Sequence, residues 1–285
     1  MIEVRGGGRM GNQMFQVAFA HAASRRLGTS FIHSRPAFER SEIGPPLWTT
    51  FGLGPWGRRS VRLRRHAEFR ALHRAAPVEV VDQQADPAST VEGLRDGVSY
   101  QGFFQSEEWF TGYAQEVRCL FEPLPEHVRM FERYRRREPY VCVHMRRADY
   151  LDTNIWALPT SFFLDVLGTV DALERFDVVV VTDDPVFVRR ELGDVPRLVC
   201  ERRPPMTDFQ LLLHADVVVT SNSSFSWWGA WLNNGLDTQV IAPKNWLGFA
   251  AGVEEPRKVI PAPWTTVAVR DPPLRSRGDS GTRAS

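Results

Sequence analysis

Valine-rich runs alternate with amphipathic stretches along the second half of the chain. The near-continuous apolar runs predict buried strands, and the stretches between them, apolar every three or four residues, predict helices. Strands without polar alternation are typical of a parallel sheet that is covered on both faces. We therefore predict an α/β fold with a doubly wound parallel sheet in this half. The predicted strands cover 139–145, 176–182, 197–200, 215–221 and 238–243, and the predicted helices cover 161–173, 185–192, 207–214 and 223–234.

The first half opens with a strand–turn–helix–strand pattern. Strands are predicted at 1–6 and 29–34, with a helix over 12–27 between them. The pattern is weaker over 36–98, which holds a turn-rich aromatic stretch and a basic segment at 58–74, and a helix is predicted near 112–137. We predict an N-terminal domain over 1–138, a C-terminal domain over 139–270, and a disordered tail over 271–285.

Composition and charge narrow the class of protein. Apolar residues make up 43% and charged residues 24% of the chain, as in ordinary globular proteins, and the net charge of +1 gives no field that would attract nucleic acid. Among 35 basic residues only Lys244 and Lys258 are lysines. A GC-rich genome explains this bias without a function, although arginine is also the better phosphate binder. Three widely spaced cysteines and no apolar run of membrane-spanning length predict a soluble, cytoplasmic protein.

The stretch GGGRMGNQMFQ contains Gly6, Gly8 and Gly11 at the spacing G-x-G-x-x-G of many dinucleotide-binding turns. Such a turn needs an acidic residue at the end of the second strand, where this chain has His33 and Ser34. The context therefore disfavours a dinucleotide site. A tight turn without a ligand stays open, and no phosphate-binding P-loop pattern occurs.

The stretch VHMRRADY is the strongest candidate for chemistry. His144 lies on a buried strand that ends in Arg146 and Arg147, and Asp149 follows. Ligands of doubly wound sheets bind beyond the carboxyl ends of the strands, where these arginines are expected. One arginine can enter the crevice while the other packs aside, and Asp149 can pair with either one. A purely structural Arg–Asp bridge is the alternative.

A second candidate is TSNSSFSWWGAWLN, which starts a helix directly after a strand. Ser223 and Ser224 are typical N-cap residues, and the free N–H groups of a first helical turn favour anions. The tryptophans at 227, 228 and 231 are interpreted mainly as core. Asp183 closes another strand, and Asp208 in a first helical turn either stabilises its helix or accepts from the N1–H and N2–H₂ edge of guanine.

Patterns typical of other sites are missing from the sequence. It has no D-x-D motif for a divalent metal, no zinc-spaced cluster of histidine and cysteine, and no G-x-S-x-G elbow. An arginine pair, serines and a helix N-terminus at one crevice therefore predict a diphosphate site that uses no metal and no cofactor.

Five blocks together resemble the α1,2-fucosyltransferases of glycosyltransferase family 11. They are GRMGNQMFQVAFA, GFFQSEEWF, VCVHMRRADY, VVVTDD and VVVTSNSSFSWWGAWLN, in the family's order, and HMRRADY resembles the H-x-R-R-x-D motif that the family shares with other fucosyltransferases. The resemblance implies a GT-B-like fold of two Rossmann-like domains facing across a cleft, with the acceptor on the first and the nucleotide on the second. It also implies metal-independent, inverting transfer from GDP-β-L-fucose, the donor, to the 2-hydroxyl of a β-galactoside.

Residue roles follow from the same resemblance. Arg146 maps to the arginine that contacts the β-phosphate, and the run Asn222, Ser223, Ser224 and Phe225 maps to the diphosphate site. Gly11, Asn12 and Gln13 map to the side of the sugar and acceptor, with Asn12 and Gln13 expected to face the cleft. Arg147, Asp183 and Asp208 complete the expected donor site.

The sequence offers two candidates for the general base and two alternatives for the function and for the basic segment. Asp149 is the first candidate for the general base and His144 the second. Ala148 and Val17 stand where the family usually has glycine and tyrosine, and 36–98, where acceptor choice is expected, matches nothing in the family. A catalytically inactive nucleotide-sugar-binding module is the alternative function. The basic segment 58–74 either forms a solvated face or touches a membrane that carries the acceptor.

Overall fold

The computed structural model of the chain describes residues 1–34, 47–53, 75–147, 157–233, 235 and 237–270. The predictions for the basic segment 58–74, for Asp149 and for the tail 271–285 fall outside these residues. Among the helices of the described part, none is long and apolar enough to cross a membrane.

The N-terminal residues form a four-stranded parallel sheet in the order β2-β1-β4-β3. Its strands are β1 (Ile2–Arg5), β2 (Phe31–Ser34), β3 (Val78–Val80) and β4 (Ser99–Gln101), and its helices are α1 (Met10–Arg26) and α2 (Pro87–Glu92). Strands β1 and β4 are neighbours, so the loops that follow them meet at one edge of the sheet. Helix α1 is buried along most of its length, because it packs on this sheet and on a helix of the second half.

The second sheet has six parallel strands in the order β10-β9-β8-β5-β6-β7. The strands are β5 (Tyr140–Met145), β6 (Asp177–Thr182), β7 (Leu198–Cys200), β8 (Val217–Val219), β9 (Gln239–Pro243) and β10 (Thr265–Val267). The helices after the first sheet are α3 (Ala114–Leu120), α4 (Pro125–Phe131), α5 (Thr160–Leu167), α6 (Pro185–Glu191), α7 (Pro205–Leu213) and α8 (Ser224–Leu232). The chain reverses its direction of winding between β5 and β8, which creates a crevice at their carboxyl ends. The predicted doubly wound sheet is confirmed.

Prolines and glycines explain where several helices differ from prediction. The single helix predicted near 112–137 is wrong, because two helices occur there and Pro123 and Pro125 separate them. Helix α5 ends at Leu167, well before residue 173, because Gly168 caps it. Strands β3, β4 and β10 and helix α2 were not predicted.

Helices α1 and α8 join the two sheets through an aromatic cluster. The ring of Phe15 lies 4.5 Å from the ring of Trp227 and 4.9 Å from that of Trp228. The Trp228 indole N–H donates to the Gly11 carbonyl at 3.0 Å. All three rings are buried, so these tryptophans belong to the core, as predicted. The domain limits at 138 and 270 stay predictions.

Candidate active site

The crevice between β5 and β8 is closed at its floor by a contact between the two strands. Val143 lies opposite Val219 in the sheet, and one residue further on His144 Nδ1 lies 2.7 Å from Ser221 Oγ. His144 is only 4% exposed. Burial, and secondarily the nearby Arg146 charge, lowers the pKa of His144 to about 3. A neutral, buried imidazole ties the strand ends together, and this argues against the base role predicted for His144.

The two arginines after β5 point in different directions. The Arg146 guanidinium forms an ion pair with Asp183 at 2.8 Å from Nη1 to Oδ2, and both side chains are about one-fifth exposed. The Arg147 guanidinium instead packs on the ring of Phe187, 3.3 Å from its centroid. Asp183 also accepts the Arg147 backbone N–H at 3.0 Å. Arg146 is therefore the arginine held at the crevice, while Arg147 packs aside.

The serine run is built into the start of α8. Ser223 is the N-cap, and its hydroxyl accepts the Phe225 backbone N–H at 3.4 Å. The Ser226 hydroxyl donates to the carbonyl oxygens of Ser221 and Ser223, which fixes the turn from β8 into the helix. Asn222 is 2% exposed, whereas Ser224 is half-buried. The first-turn N–H groups of α8 thus lie at the same edge of the second sheet as Arg146, at the carboxyl ends of β8 and β5.

The glycines before α1 have structural reasons. Gly8 has φ +72°, in the left-handed region that glycine tolerates best, and a Cβ there would collide with Asn12. A Cβ on Gly11 would lie 2.5 Å from the Ser224 carbonyl carbon and 2.7 Å from its oxygen. Gly11 therefore allows the N-terminus of α1 to contact the N-terminus of α8. Gly11 was predicted to lie on the side of the sugar and acceptor, and in the structure it packs against Ser224 of the serine run.

Side-chain amides organise the loops at the edge of the first sheet. Gln16 donates from Nε2 to the carbonyl oxygens of Gly7 and Gly102, both at 3.2 Å, which joins the loops after β1 and β4. Gln13 is 1% exposed and donates to the Gly8 carbonyl at 3.2 Å. The expectation that Gln13 faces the cleft is therefore wrong, because its amide is used inside the turn. Asn12 is half-buried and accepts from Gln105 at 2.7 Å.

Asp208 lies in the first turn of α7, at the carboxyl edge of the second sheet. Its side chain is 13% exposed, and the nearest cation is Arg203, with Nη1 3.4 Å from Oδ1. Burial raises the pKa of Asp208 to about 7, although Arg203 opposes the shift. The N-cap of α7 is Pro204 rather than Asp208. Asp208 is therefore a partly desolvated acceptor that changes charge near neutral pH.

The family of the chain follows from a match to a family model. The model described as glycosyl transferase family 11 matches residues 96–259, more than half of the chain. The chain belongs to glycosyl transferase family 11. The enzyme is thus a glycosyltransferase of the fucosyltransferase type that moves a fucose-like sugar from a nucleotide sugar.

Several relatives of the glycosyltransferase are similar over different lengths. An alpha-1,2-colitosyltransferase of Escherichia coli is 24% identical over 86% of this chain and 92% of its own length. A galactoside 2-alpha-L-fucosyltransferase of Caenorhabditis elegans is 28% identical, but over only 44% of this chain and 40% of its own length. The crystal structure of POFUT1 in complex with GDP-fucose superimposes with a TM-score of 0.52 at 13% identity, covering 85% of this chain and 96% of that chain. The predicted GT-B-like fold is confirmed.

Some residues of the site were not found from the sequence of this glycosyltransferase. Ser221 and Gln16 are ordinary polar residues in the sequence, and only the paired strand ends and paired loops reveal their contacts. Gln105 lies in the quoted block GFFQSEEWF but had no assigned role. Arg203 is adjacent to another arginine before a proline, which in a sequence is typical of an exposed charge run. Among the described residues, no group of three His, Cys, Asp or Glu side chains is arranged to hold a metal ion.

Proposed function

We propose that this enzyme transfers L-fucose from GDP-β-L-fucose to the 2-hydroxyl of a β-galactoside, with inversion to an α-fucoside and without a metal ion. Two relatives, a galactoside 2-alpha-L-fucosyltransferase and an alpha-1,2-colitosyltransferase, support the 1,2 linkage. The POFUT1 structure has the same fold and was determined in complex with GDP-fucose, which supports GDP-fucose as the donor. The proposal rests mainly on one observation, the joining of Arg146 and the serine run at the β5–β8 crevice by His144 and Ser221.

That arrangement suits a departing diphosphate. In a single displacement the acceptor hydroxyl attacks the anomeric carbon while negative charge develops on the β-phosphate oxygen of GDP. Arg146 and the first-turn N–H groups of α8, held in place before the substrate binds, stabilise that charge. Charge-assisted hydrogen bonds contribute about 1.5–3 kcal/mol each, so a two-pronged contact from Arg146 contributes roughly 3–6 kcal/mol. The ion pair with Asp183 holds the guanidinium in place.

Asn12, Asp208 and Asp149 are proposed to take the remaining roles. Asn12 is proposed to contact the sugar, because it is half-buried beside the turn that touches α8. Asp208 is proposed to accept hydrogen bonds from guanine. Asp149 is retained as the proposed general base, since the buried His144 has too low a pKa for this task. The acceptor hydroxyl then loses its proton to Asp149 as the new glycosidic bond forms.

The match to the colitosyltransferase favours GDP-colitose as an alternative donor. The colitosyltransferase matches nearly the whole chain, whereas the fucosyltransferase match covers less than half of it. Colitose is the 3-deoxy counterpart of L-fucose, so the two donors differ at one hydroxyl. Comparing kcat/KM for GDP-fucose and GDP-colitose distinguishes them, and a preference of about tenfold or more for GDP-colitose assigns that donor instead.

An Arg146→Lys variant tests the proposed catalytic role. Lysine keeps the charge but loses the planar fork, so turnover with GDP-fucose and a β-galactoside is expected to fall about 10²-fold or more. Arg136→Lys is the matched control, because Arg136 pairs with Asp177 at 3.0 Å and also joins the segments of β5 and β6, but at their opposite ends. The control is expected to keep turnover within about threefold of the parent. Equal losses in the two variants would refute a role of Arg146 in the reaction.

A further inference from the structure

Arg203 is a buried arginine between β7 and α7. Its side chain is 1% exposed, and its guanidinium lies 3.1 Å from the Glu201 carboxylate and 3.4 Å from the Val180 carbonyl. The third neighbour is Asp208, at 3.4 Å. A guanidinium removed from water is unfavourable unless its neighbours compensate for the lost hydration. Asp208 is therefore one of the neighbours that compensate for the burial of this guanidinium.

Asp208 is the partner of Arg203 that lies at the start of a helix at the carboxyl edge of the second sheet. It is more exposed than Arg203, and it lies in the first turn of α7, which begins at the same edge of the sheet as the strand ends that carry Arg146. The Nη1–Oδ1 distance of 3.4 Å exceeds the roughly 2.8 Å of a tight charge-assisted bond. Arg203 Nη2 has no hydrogen-bond partner within the part of the chain that is described. The guanidinium therefore has donor capacity left to hold a carboxylate more tightly when a ligand engages it.

The other titratable groups around Asp208 do not favour its ionised form. Glu201 raises the pKa of Asp208, and burial raises it further. Cys142 on β5 and Cys200 on β7 also interact with Asp208, and burial raises the pKa of both thiols, so they stay neutral. Arg203 is thus the charged group that favours the carboxylate.

We propose that Arg203 is a positioning residue that keeps Asp208 ionised and oriented to accept hydrogen bonds from the N1–H and N2–H₂ edge of a guanine base. A carboxylate accepts both donors of that edge, whereas a protonated carboxyl group presents a donor of its own and cannot. The inference rests on the proposed function, because it takes a guanosine diphosphate sugar as the ligand. It adds an effect of pH on donor binding that the proposed reaction by itself does not require.

Calorimetric titration with GDP-fucose between pH 5.5 and 8.5 tests the inference. GDP-fucose is suitable because both phosphates are esterified and do not titrate in this range. Only the ionised fraction of Asp208 binds guanine well, so the wild-type Kd is expected to be nearly constant above pH 8 and about tenfold weaker at pH 6. Asp208→Asn is expected to bind weakly and without this pH dependence.

Two Arg203 variants separate charge from packing. Arg203→Gln keeps an N–H donor for the Val180 carbonyl but loses the charge, so the inflection in Kd should move up by about one pH unit or more. Binding at pH 7 then weakens about fivefold or more, whereas Arg203→Lys keeps the charge and should stay near the wild-type inflection. Thermal unfolding establishes that each variant is folded, and if the glutamine variant is not, the lysine and Asp208→Asn profiles still decide.

The outcomes distinguish the proposed role of Arg203 from the proposed function of the enzyme. A wild-type Kd that does not change with pH overturns the inference, and so does an inflection that is the same in Arg203→Gln as in the wild type. A lysine variant whose profile loses the wild-type inflection overturns it too. In each case GDP-fucose still binds, so the proposed function stands. Folded wild-type enzyme that does not bind GDP-fucose at any pH contradicts the proposed function itself.

Discussion

Gly11→Ala tests the contact between the two halves of the molecule through the sign of its effect. Gly11 is the second residue of α1, where alanine is ordinarily better than glycine by about 0.8–1 kcal/mol. The structure predicts the opposite result. A Cβ at this position would lie 2.5 Å from the carbonyl carbon, 2.6 Å from Oγ and 2.7 Å from the carbonyl oxygen of Ser224. Two of these are backbone atoms, which cannot rotate away.

The size of the effect follows from those distances. Restoring a carbon–carbon contact of about 3.5 Å requires α1 and α8 to separate by roughly 1 Å. Overpacking of this kind costs about 1–3 kcal/mol and also strains the Trp228 hydrogen bond to the Gly11 carbonyl. Because Ser224 starts the helix that is proposed to hold the diphosphate, a displacement of about 1 Å is expected to lower kcat/KM roughly 10²-fold.

Thermal unfolding and steady-state kinetics with GDP-fucose measure the two effects. The Tm of Gly11→Ala is expected to fall by about 2–10 °C. Gly93→Ala is the matched control, since Gly93 also borders a helix of the first half but its added Cβ would lie at an ordinary 3.5 Å from the Thr90 carbonyl. This control should be neutral or slightly stabilised. A Gly11→Ala enzyme with a raised Tm and kcat/KM within about threefold of the parent would refute the close approach of α1 and α8.

Two further predictions concern the turn before α1 and the proton acceptor. Gly8→Ala places a side chain at φ +72°, which costs about 1–2 kcal/mol, and its lower denaturation midpoint should appear without a change in the m-value. His144→Asn removes the imidazole, yet the acidic limb of the profile of kcat against pH at saturating GDP-fucose should stay where it is, since the pKa of His144 is lowered to about 3. Asp149→Asn should abolish that limb. An unchanged limb in Asp149→Asn, or a lost one in His144→Asn, would overturn the assignment of the base.

The second sheet could be predicted because its strands are long, apolar and buried on both faces. Val178 to Val181 on β6, for example, are nearly inaccessible to solvent, so the sequence pattern and the burial pattern coincide. Strands β3 and β10 have three residues each and exposed side chains, which leaves no apolar period to detect. Helix α2 has six residues, and its start depends on the Asp86 cap and Pro87 rather than on hydrophobic periodicity.

The site was predictable in its elements but less so in its contacts. The motifs located Arg146 and the serine run correctly at neighbouring strand ends, because sheet topology fixes where strands end. They could not show that Arg147 packs on Phe187 or that Gln13 is buried, since neighbouring residues share a motif but not a direction. The buried Arg203 resembled an exposed charge in the sequence, and only packing distinguishes the two.

The contacts of the block GFFQSEEWF could not be predicted from the sequence either. The sequence showed only that it resembles a family motif, whereas the structure gives each polar residue a contact. Gln105 donates to Asn12, Glu107 accepts the Trp231 indole N–H at 2.9 Å, and Lys258 pairs with Glu108 at 2.8 Å. The last two contacts link the first half of the chain to α8 and to the segment after β9. The block therefore helps to hold the two halves together.

The product of one reaction tests the proposed fucosyl transfer. The enzyme is incubated with GDP-β-L-fucose and a β-galactoside, and the linkage and anomeric configuration of the product are read by NMR. A single fucosylated product with an α configuration at the 2-oxygen of galactose is expected. A product linked at another hydroxyl, a β-fucoside, or hydrolysis of the donor without transfer would contradict the proposed transfer.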